Sequence, residues 1–209
     1  MKLYHYWRSS SSWRVRWALA YKKVAYEGVA VDLLSGESDS ETHLARHPFG
    51  YVPVMEIEGQ MLTESLAMIR YLEDVHPKPS LLGEGLNPIA RARIVELAET
   101  INADTQPLQN LDPQFLHSDD PEKRKAWAKH WIVRGLTAYE RLCSKTAGKF
   151  SVGDSLSVAD LCLVPQLYNA RRYEVDLSPY TTIARIEKNC ADLESYRASE
   201  PSKFEPKKV

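Results

Sequence analysis

The segment Arg8-Ser9-Ser10-Ser11-Ser12-Trp13-Arg14-Val15-Arg16 gathers four hydroxyls and three guanidinium groups within nine residues. It lies between a β-prone stretch, Lys2 to Tyr6, and a helical pattern over Ser12 to Lys23. The first turn of a helix has N–H groups without intrahelical partners and the positive end of the helix dipole, so it stabilises an anion. Hydroxyls of Ser9, Ser10 and Ser11 can donate to that anion, and Arg8 can add charge. The same serines would also serve simply as N-caps. A second pattern is Gly50-Tyr51-Val52-Pro53-Val54, where a proline enters a convincing strand start without an N–H for the ladder. A cis Val52–Pro53 bond would leave the Val52 backbone to pair with an extended ligand peptide; a trans proline at an edge strand is the plainer alternative. The third pattern is Thr63-Glu64-Ser65 ahead of another helix. Ser65 reads as its N-cap, the terminus suits a carboxylate, and Glu64 suits an ammonium group, which together fit the amino-acid end of a zwitterion.

These patterns need elements to position them. Before residue 77, short strands alternate with helical periodicity. Tyr26 to Leu33 and Val52 to Ile57 read as strands, Glu58-Gly59 as a turn, Gln60 to Leu62 as the hairpin return, and Ser65 to Val75 as a helix. The order predicts a small α/β sheet of mixed direction. Pro77-Lys78-Pro79-Ser80, Gly83, Gly85 and Asn87-Pro88 form the densest cluster of breakers and mark a boundary. Beyond it nearly everything reads as helix. Asn87-Pro88 and Asp120-Pro121 are cap-then-proline starts, Pro107 should end or kink a helix, and Ser157-Val158-Ala159-Asp160 resembles a capping box. Thr182 to Leu193 supplies a last helix. The prediction is an α/β domain over 1–80 followed by an all-α domain over 88–209 with four or five helices.

Composition narrows the function. Lys and Arg number 27 against 28 Asp and Glu, a formal charge of -1, without the basic excess of a general nucleic-acid binder. No apolar run approaches the roughly 18 residues of a membrane span, and Met1-Lys2-Leu3-Tyr4 opens no secretory signal. The three cysteines, Cys143, Cys162 and Cys190, lack metal-site spacing and are odd in number. A reduced, cytoplasmic protein without disulfides or metal is expected.

Taken in order, the patterns resemble the glutathione S-transferase family, most closely its zeta class. The class run Ser-Ser-Cys-Ser-Trp-Arg-Val-Arg stands here as Ser9 to Arg16. Further matches are Val52-Pro53, Glu64-Ser65-Leu66-Ala67, Gln106-Pro107-Leu108-Gln109-Asn110, Val152-Gly153-Asp154 and Ala159 to Gln166. The resemblance runs from about Leu3 to Tyr196. It implies a thioredoxin-like N-terminal domain, an all-helical C-terminal domain and a homodimer. It also implies glutathione contacts at Ser9, Ser10, Val52, Pro53, Glu64, Ser65, Gln106 and Asn110, with Arg8 nearby, and a substrate-side arginine at Arg172. On residue type alone, Arg172 would pass as a solvated helix charge. The implied activity is glutathione-dependent cis–trans isomerisation of a maleyl diketo acid, maleylacetoacetate or maleylpyruvate, by thiolate addition, bond rotation and elimination. The alternatives are a general glutathione transferase that conjugates or dehalogenates electrophiles and a non-catalytic dimeric binding scaffold. The chain departs from the class at Ser11, which takes the cysteine position, at His47 and Tyr51, and in the tail Ser202 to Pro206. Any chemistry at Ser11 is that of a hydroxyl.

Overall fold

A computed structural model of the chain describes residues 1–206. The described residues divide into two compact units, 1–80 together with 193–206, and 81–192. The first begins with β1 (Lys2–His5), α1 (Ser10–Tyr21) and β2 (Glu27–Ala30). β1 and β2 pair in parallel, Leu3 opposite Gly28, which requires the crossover that α1 provides. A short helix α2 (Glu41–Leu44) follows, then β3 (Val54–Ile57), β4 (Gln60–Leu62) and α3 (Ser65–Val75). β3 runs antiparallel to both β1 and β4, giving the strand order β2-β1-β3-β4. The hairpin turns at Glu58 and Gly59, both with positive φ (51° and 79°), the geometry that a two-residue loop demands. This is the mixed sheet that the order of elements predicts and the thioredoxin-like arrangement that the resemblance implies.

Alternation along the strands sorts the unit's core. Tyr4, Tyr6, Val31, Val52 and Val54 cluster, with Trp7, Val29 and Leu33 packed against them. Leu3, Val15, Leu19, Met55, Met68, Ile69 and Leu72 are buried as well. Lys22, at the end of α1, is buried yet fully engaged. Its Nζ lies 2.5 Å from Glu73 and donates to the carbonyls of His76 and Pro79, each at 2.8 Å. Burying a charge is costly unless it is paired in this way.

The second unit holds α4 (Pro88–Asn102), α5 (Gln106–Gln109), α6 (Leu111–His117), α7 (Pro121–Cys143), α8 (Val158–Arg172) and α9 (Thr181–Ala191). Six helices thus stand in this unit alone, where four or five are expected over the whole of 88–209; α5 and α6 are too short for a periodic signal. Asn87 caps α4 through Ala90 N–H at 2.9 Å, and Asp120 caps α7 through Glu122 N–H at 2.9 Å. Pro107 neither ends nor kinks α4, which stops at Asn102; it occupies the first turn of α5, where a missing N–H costs nothing. A Cβ at Gly135 would overlap the Thr105 side chain, so glycine lets α7 and the start of α5 approach closely. α8 is buried along most of its length.

The C-terminal boundary differs from the prediction. Residues 193–206, including α10 (Glu194–Ser199), belong to the first unit rather than to the helical one. Trp13 and Trp17 of α1 are buried and must place their indole N–H groups. Trp13 donates to Ser199 Oγ and Trp17 to Ser195 Oγ, both at 3.1 Å, while the Tyr196 ring packs on both indoles at 5.6 and 5.5 Å. Arg16 adds a bond to the Ser199 carbonyl at 3.2 Å.

Candidate glutathione site

Two of the three sequence patterns meet in the first unit, at the N-termini of α1 and α3. Ser9 is the N-cap of α1 (φ -67°, ψ 125°), and its hydroxyl accepts from Ser12 N–H at 3.1 Å. Accepting that bond leaves its proton to donate elsewhere. Ser10, the first helical residue, is buried, while Ser11 is half-buried. Ser12 is fully buried and turned inward, its Oγ accepting from Tyr6 N–H at 3.4 Å. Arg8 lies over the Trp7 ring, 5.2 Å from its centroid, with NH2 3.5 Å from the Tyr6 hydroxyl.

The three arginines of the run separate by role. Arg8 stays beside Ser9. Arg16 is buried and ties chain segments together: it donates to the carbonyls of Tyr6, Trp7 and Ser199 and lies 4.5 Å from the Phe204 ring centroid. Burial lowers its guanidinium to about 10, and burial with the adjacent Arg16 charge lowers His5 to about 4. A neutral His5 Nδ1, 3.3 Å from Arg16 NH1, can accept its bond. Arg14, 0% exposed, donates from NH1 to Ser65 Oγ at 3.0 Å. It thereby links the two helix starts.

At α3 the register differs by one residue from the reading of Ser65 as N-cap. Glu64 is the N-cap, with φ 64° and ψ 114° and no side-chain capping bond, and Ser65 is the first helical residue. The reason is tertiary, since Arg14 draws the Ser65 hydroxyl inward. Positive φ at a non-glycine residue costs of order 1–3 kcal/mol and gathers at functional sites. The Glu64 side chain is exposed. Val52 precedes a cis bond to Pro53, and the neighbouring Tyr51 carbonyl lies 2.9 Å from His43 Nε2. A carbonyl can only accept, so that nitrogen carries the proton. Burial depresses the pKa of His47, nearby in the same loop.

The remaining candidates lie in the helical unit. Gln106 is buried at the start of α5, and Asn110 is the exposed residue between α5 and α6. Gln109 and Gln166 exchange reciprocal amide bonds at 2.9 and 2.6 Å, and both are buried. Gln114 donates to the Gln109 carbonyl at 2.6 Å and to the Tyr173 hydroxyl at 2.9 Å. These bonds fix the α5–α6 corner against α8. Arg172, exposed in the last turn of α8, reaches Asn169 Oδ1 at 3.4 Å. A hollow of about 360 Å³ lined by Leu86, Ile89, Arg93 and Val152 includes none of these residues. Among the described residues no cluster of His, Cys, Asp or Glu could hold a metal ion, and no helix is long and apolar enough to cross a membrane.

The donor set in the first unit suits a zwitterionic thiol peptide. It offers hydroxyls at one helix N-terminus and, at a second without a side-chain cap, an acid beside a serine. Residues 1–74 match the glutathione S-transferase N-terminal domain, and residues 109–197 match the C-terminal domain of the same family. The chain belongs to the glutathione S-transferase family. It is 43% identical over 201 residues to the maleylacetoacetate isomerase of Mus musculus, covering 95% of this chain and 91% of that one. Its fold matches a maleylpyruvate isomerase described as a bacterial zeta-class glutathione S-transferase, with a TM-score of 0.93 at 36% identity over the whole of both chains. It also matches the maleylacetoacetate isomerase of Anaeromyxobacter dehalogenans 2CP-1, with dicarboxyethyl glutathione and citrate bound in the active site. That TM-score is 0.87 at 44% identity, covering 99% of this chain and 96% of that one.

Arg14 is the residue whose contact the sequence analysis missed. A signal was present. It lies four residues after Ser10, on the same helix face, and a cation at a buried helical position needs a purpose.

Proposed function

We propose that this protein is a glutathione-dependent cis–trans isomerase of a maleyl diketo acid, maleylacetoacetate or maleylpyruvate, in the breakdown of aromatic compounds. The observation that carries the reading is the pair of linked helix N-termini, Ser9–Ser10 on α1 and Glu64–Ser65 on α3, joined through Arg14. The names of the 36–44% identical relatives support it. Bound glutathione supplies a thiolate that adds to the conjugated cis double bond and departs once the bond has turned. A free thiol of this kind has a pKa near 8.5 and is mostly protonated at neutral pH. Ser9 and Ser10 hydroxyls and the positive end of α1 favour its charged form. Glu64 takes the ligand's ammonium group, and the N–H and hydroxyl of Ser65 take its carboxylate. Val52 offers backbone groups to the peptide, Pro53 shapes that corner, and Arg8 adds positive potential beside the serines. On the resemblance, Gln106 and Asn110 add further glutathione contacts. Arg172 receives a substrate carboxylate, and positive charge there also stabilises negative charge that develops during reaction.

The resemblance further supports a homodimer, and three buried free cysteines fit a reducing cytoplasm. Sedimentation should give about twice the 23.8 kDa chain mass. The decisive assay is turnover of maleylacetoacetate or maleylpyruvate with glutathione far below the substrate concentration. The trans product should accumulate with glutathione recovered intact. Consumption of glutathione by electrophiles with no isomerisation would instead establish a conjugating transferase. Arg172→Ala should lower kcat/KM for the diketo acid tenfold to a hundredfold, the loss of about 1.5–3 kcal/mol from one charge-assisted contact. A neutral aryl halide should be indifferent to the change.

A further inference from the structure

We propose that Arg14 is a positioning residue for glutathione recognition, orienting the Ser65 hydroxyl as a donor toward the ligand's α-carboxylate. The inference rests on the reading of the α3 N-terminus given above and deepens it. A serine hydroxyl has one proton and two lone pairs. Arg14 NH1 occupies a lone pair of Ser65 Oγ at 3.0 Å, and a guanidinium has no acceptor to offer in return. The hydroxyl proton must therefore turn away from Arg14. Ser65 is the first residue of α3, so its own N–H belongs to the turn that lacks intrahelical acceptors. Hydroxyl and amide thus form a pair of donors at one helix end. Both side chains are withdrawn from water, with Ser65 4% exposed and Arg14 0%. In that setting the hydrogen bond polarises the hydroxyl and strengthens the one it donates onward.

The helix pattern adds coupling, because Arg14 and Ser10 stand four apart on α1 and share a face. One helix face therefore carries a sulfur-side hydroxyl and the arm that sets the carboxylate-side hydroxyl. Arg14 acts on the ligand through Ser65, so substitution should change affinity for the carboxylate end and leave the sulfur's ionisation alone.

The test uses full-length protein and two ligands, glutathione and an analogue that lacks the α-carboxylate of its γ-glutamyl residue. Calorimetric Kd values are measured for the parent, Arg14→Gln, Arg14→Lys, Ser65→Ala and the Arg14→Gln/Ser65→Ala double variant. The parent should prefer glutathione over the analogue strongly, and Arg14→Gln should reduce that preference about tenfold. Thiolate absorbance of bound glutathione should keep its pH midpoint. In the Ser65→Ala background, Arg14→Gln should add less than a twofold change. Arg14→Lys keeps charge and stem, so it should fold even where Arg14→Gln does not, and it should show an intermediate loss of preference. A preference retained in Arg14→Lys and Arg14→Gln while Ser65→Ala loses it would overturn the proposal and leave the Ser65 assignment standing, even if both melting temperatures fall. Unchanged preference in Ser65→Ala as well would remove the carboxylate site from α3 altogether, and Arg14 with it.

Discussion

The helices α3 and α8 begin with similar residues and end up with opposite characters. Each reads in sequence as a serine-headed start, Glu64-Ser65-Leu66-Ala67 in one case and Ser157-Val158-Ala159-Asp160 in the other. At α8 the chain satisfies its own donors. Asp160 is fully buried, accepts from Ser157 N–H at 2.9 Å and Ser157 Oγ at 3.1 Å, and takes Ser151 N–H at 2.8 Å on its other oxygen. At α3 the cap residue Glu64 is exposed, has positive φ and makes no capping bond with its side chain. The serine beside it is held by a residue of another helix. Residue type alone does not separate a structural helix start from the ligand-binding start that we propose at α3. What separates them is whether the chain's own side chains complete the terminus.

The largest expected effect lies at the sealed end. Asp160→Ala would leave two buried N–H groups and a hydroxyl without their acceptor, at a cost of about 3–5 kcal/mol. For a chain of this size the melting temperature should fall by roughly 10 °C. Glutathione affinity of the protein that remains folded should not change. A calorimetric shift below about 2 °C would show that the α8 terminus is less dependent on its own carboxylate than its geometry indicates.

At the open end the balance should invert. Glu64→Gln removes a charge that makes no capping bond, so stability should stay within about 0.5 kcal/mol. Losing a charge-assisted partner for the ligand ammonium should weaken glutathione binding by about 1–2 kcal/mol, discounted for the exposure of Glu64. Titration calorimetry beside a thermal melt separates the two. A fall in melting temperature with undiminished affinity would make α3 a second structural cap.

Much of this contrast could be read in the sequence, and the unread part has a common cause. The hairpin at Glu58-Gly59, the caps at Asn87 and Asp120 and the capping box at Ser157 are local, set by residues within a few positions of each other, and the structure holds each of them. The class-like motifs also located α1, α3 and α8. What failed was long-range. Whether Ser65 or Glu64 caps α3 is decided by Arg14, 51 residues away. The return of Leu193 onward to the first unit is decided by indole donors at Trp13 and Trp17, 186 and 178 residues from their acceptors. The Gln109–Gln166 pair, 57 residues apart, was visible only as two separate motifs.

The smallest perturbation probes the start of α1. Ser11 occupies the position where the zeta class has cysteine, in the first turn of α1 and half-buried, so Ser11→Cys should alter stability by less than about 0.5 kcal/mol. A helix N-terminus favours a thiolate and brings a cysteine below its ordinary pKa near 8.5. The native thiols are the opposite case. Cys143, Cys162 and Cys190 are all fully buried; desolvation pushes Cys143 up to about 12 and Cys190 well up. In the folded parent an aromatic disulfide reagent at neutral pH should therefore label none of the three. The variant should take up a single equivalent quickly, and saturating S-methylglutathione, which has no free thiol to consume the reagent, should slow that reaction because the ligand's sulfur fills the same helix end. Labelling as slow as that of the buried thiols would mean that the α1 terminus is closed like that of α8. Fast labelling that S-methylglutathione does not slow would mean that it is open and that the ligand's sulfur binds elsewhere.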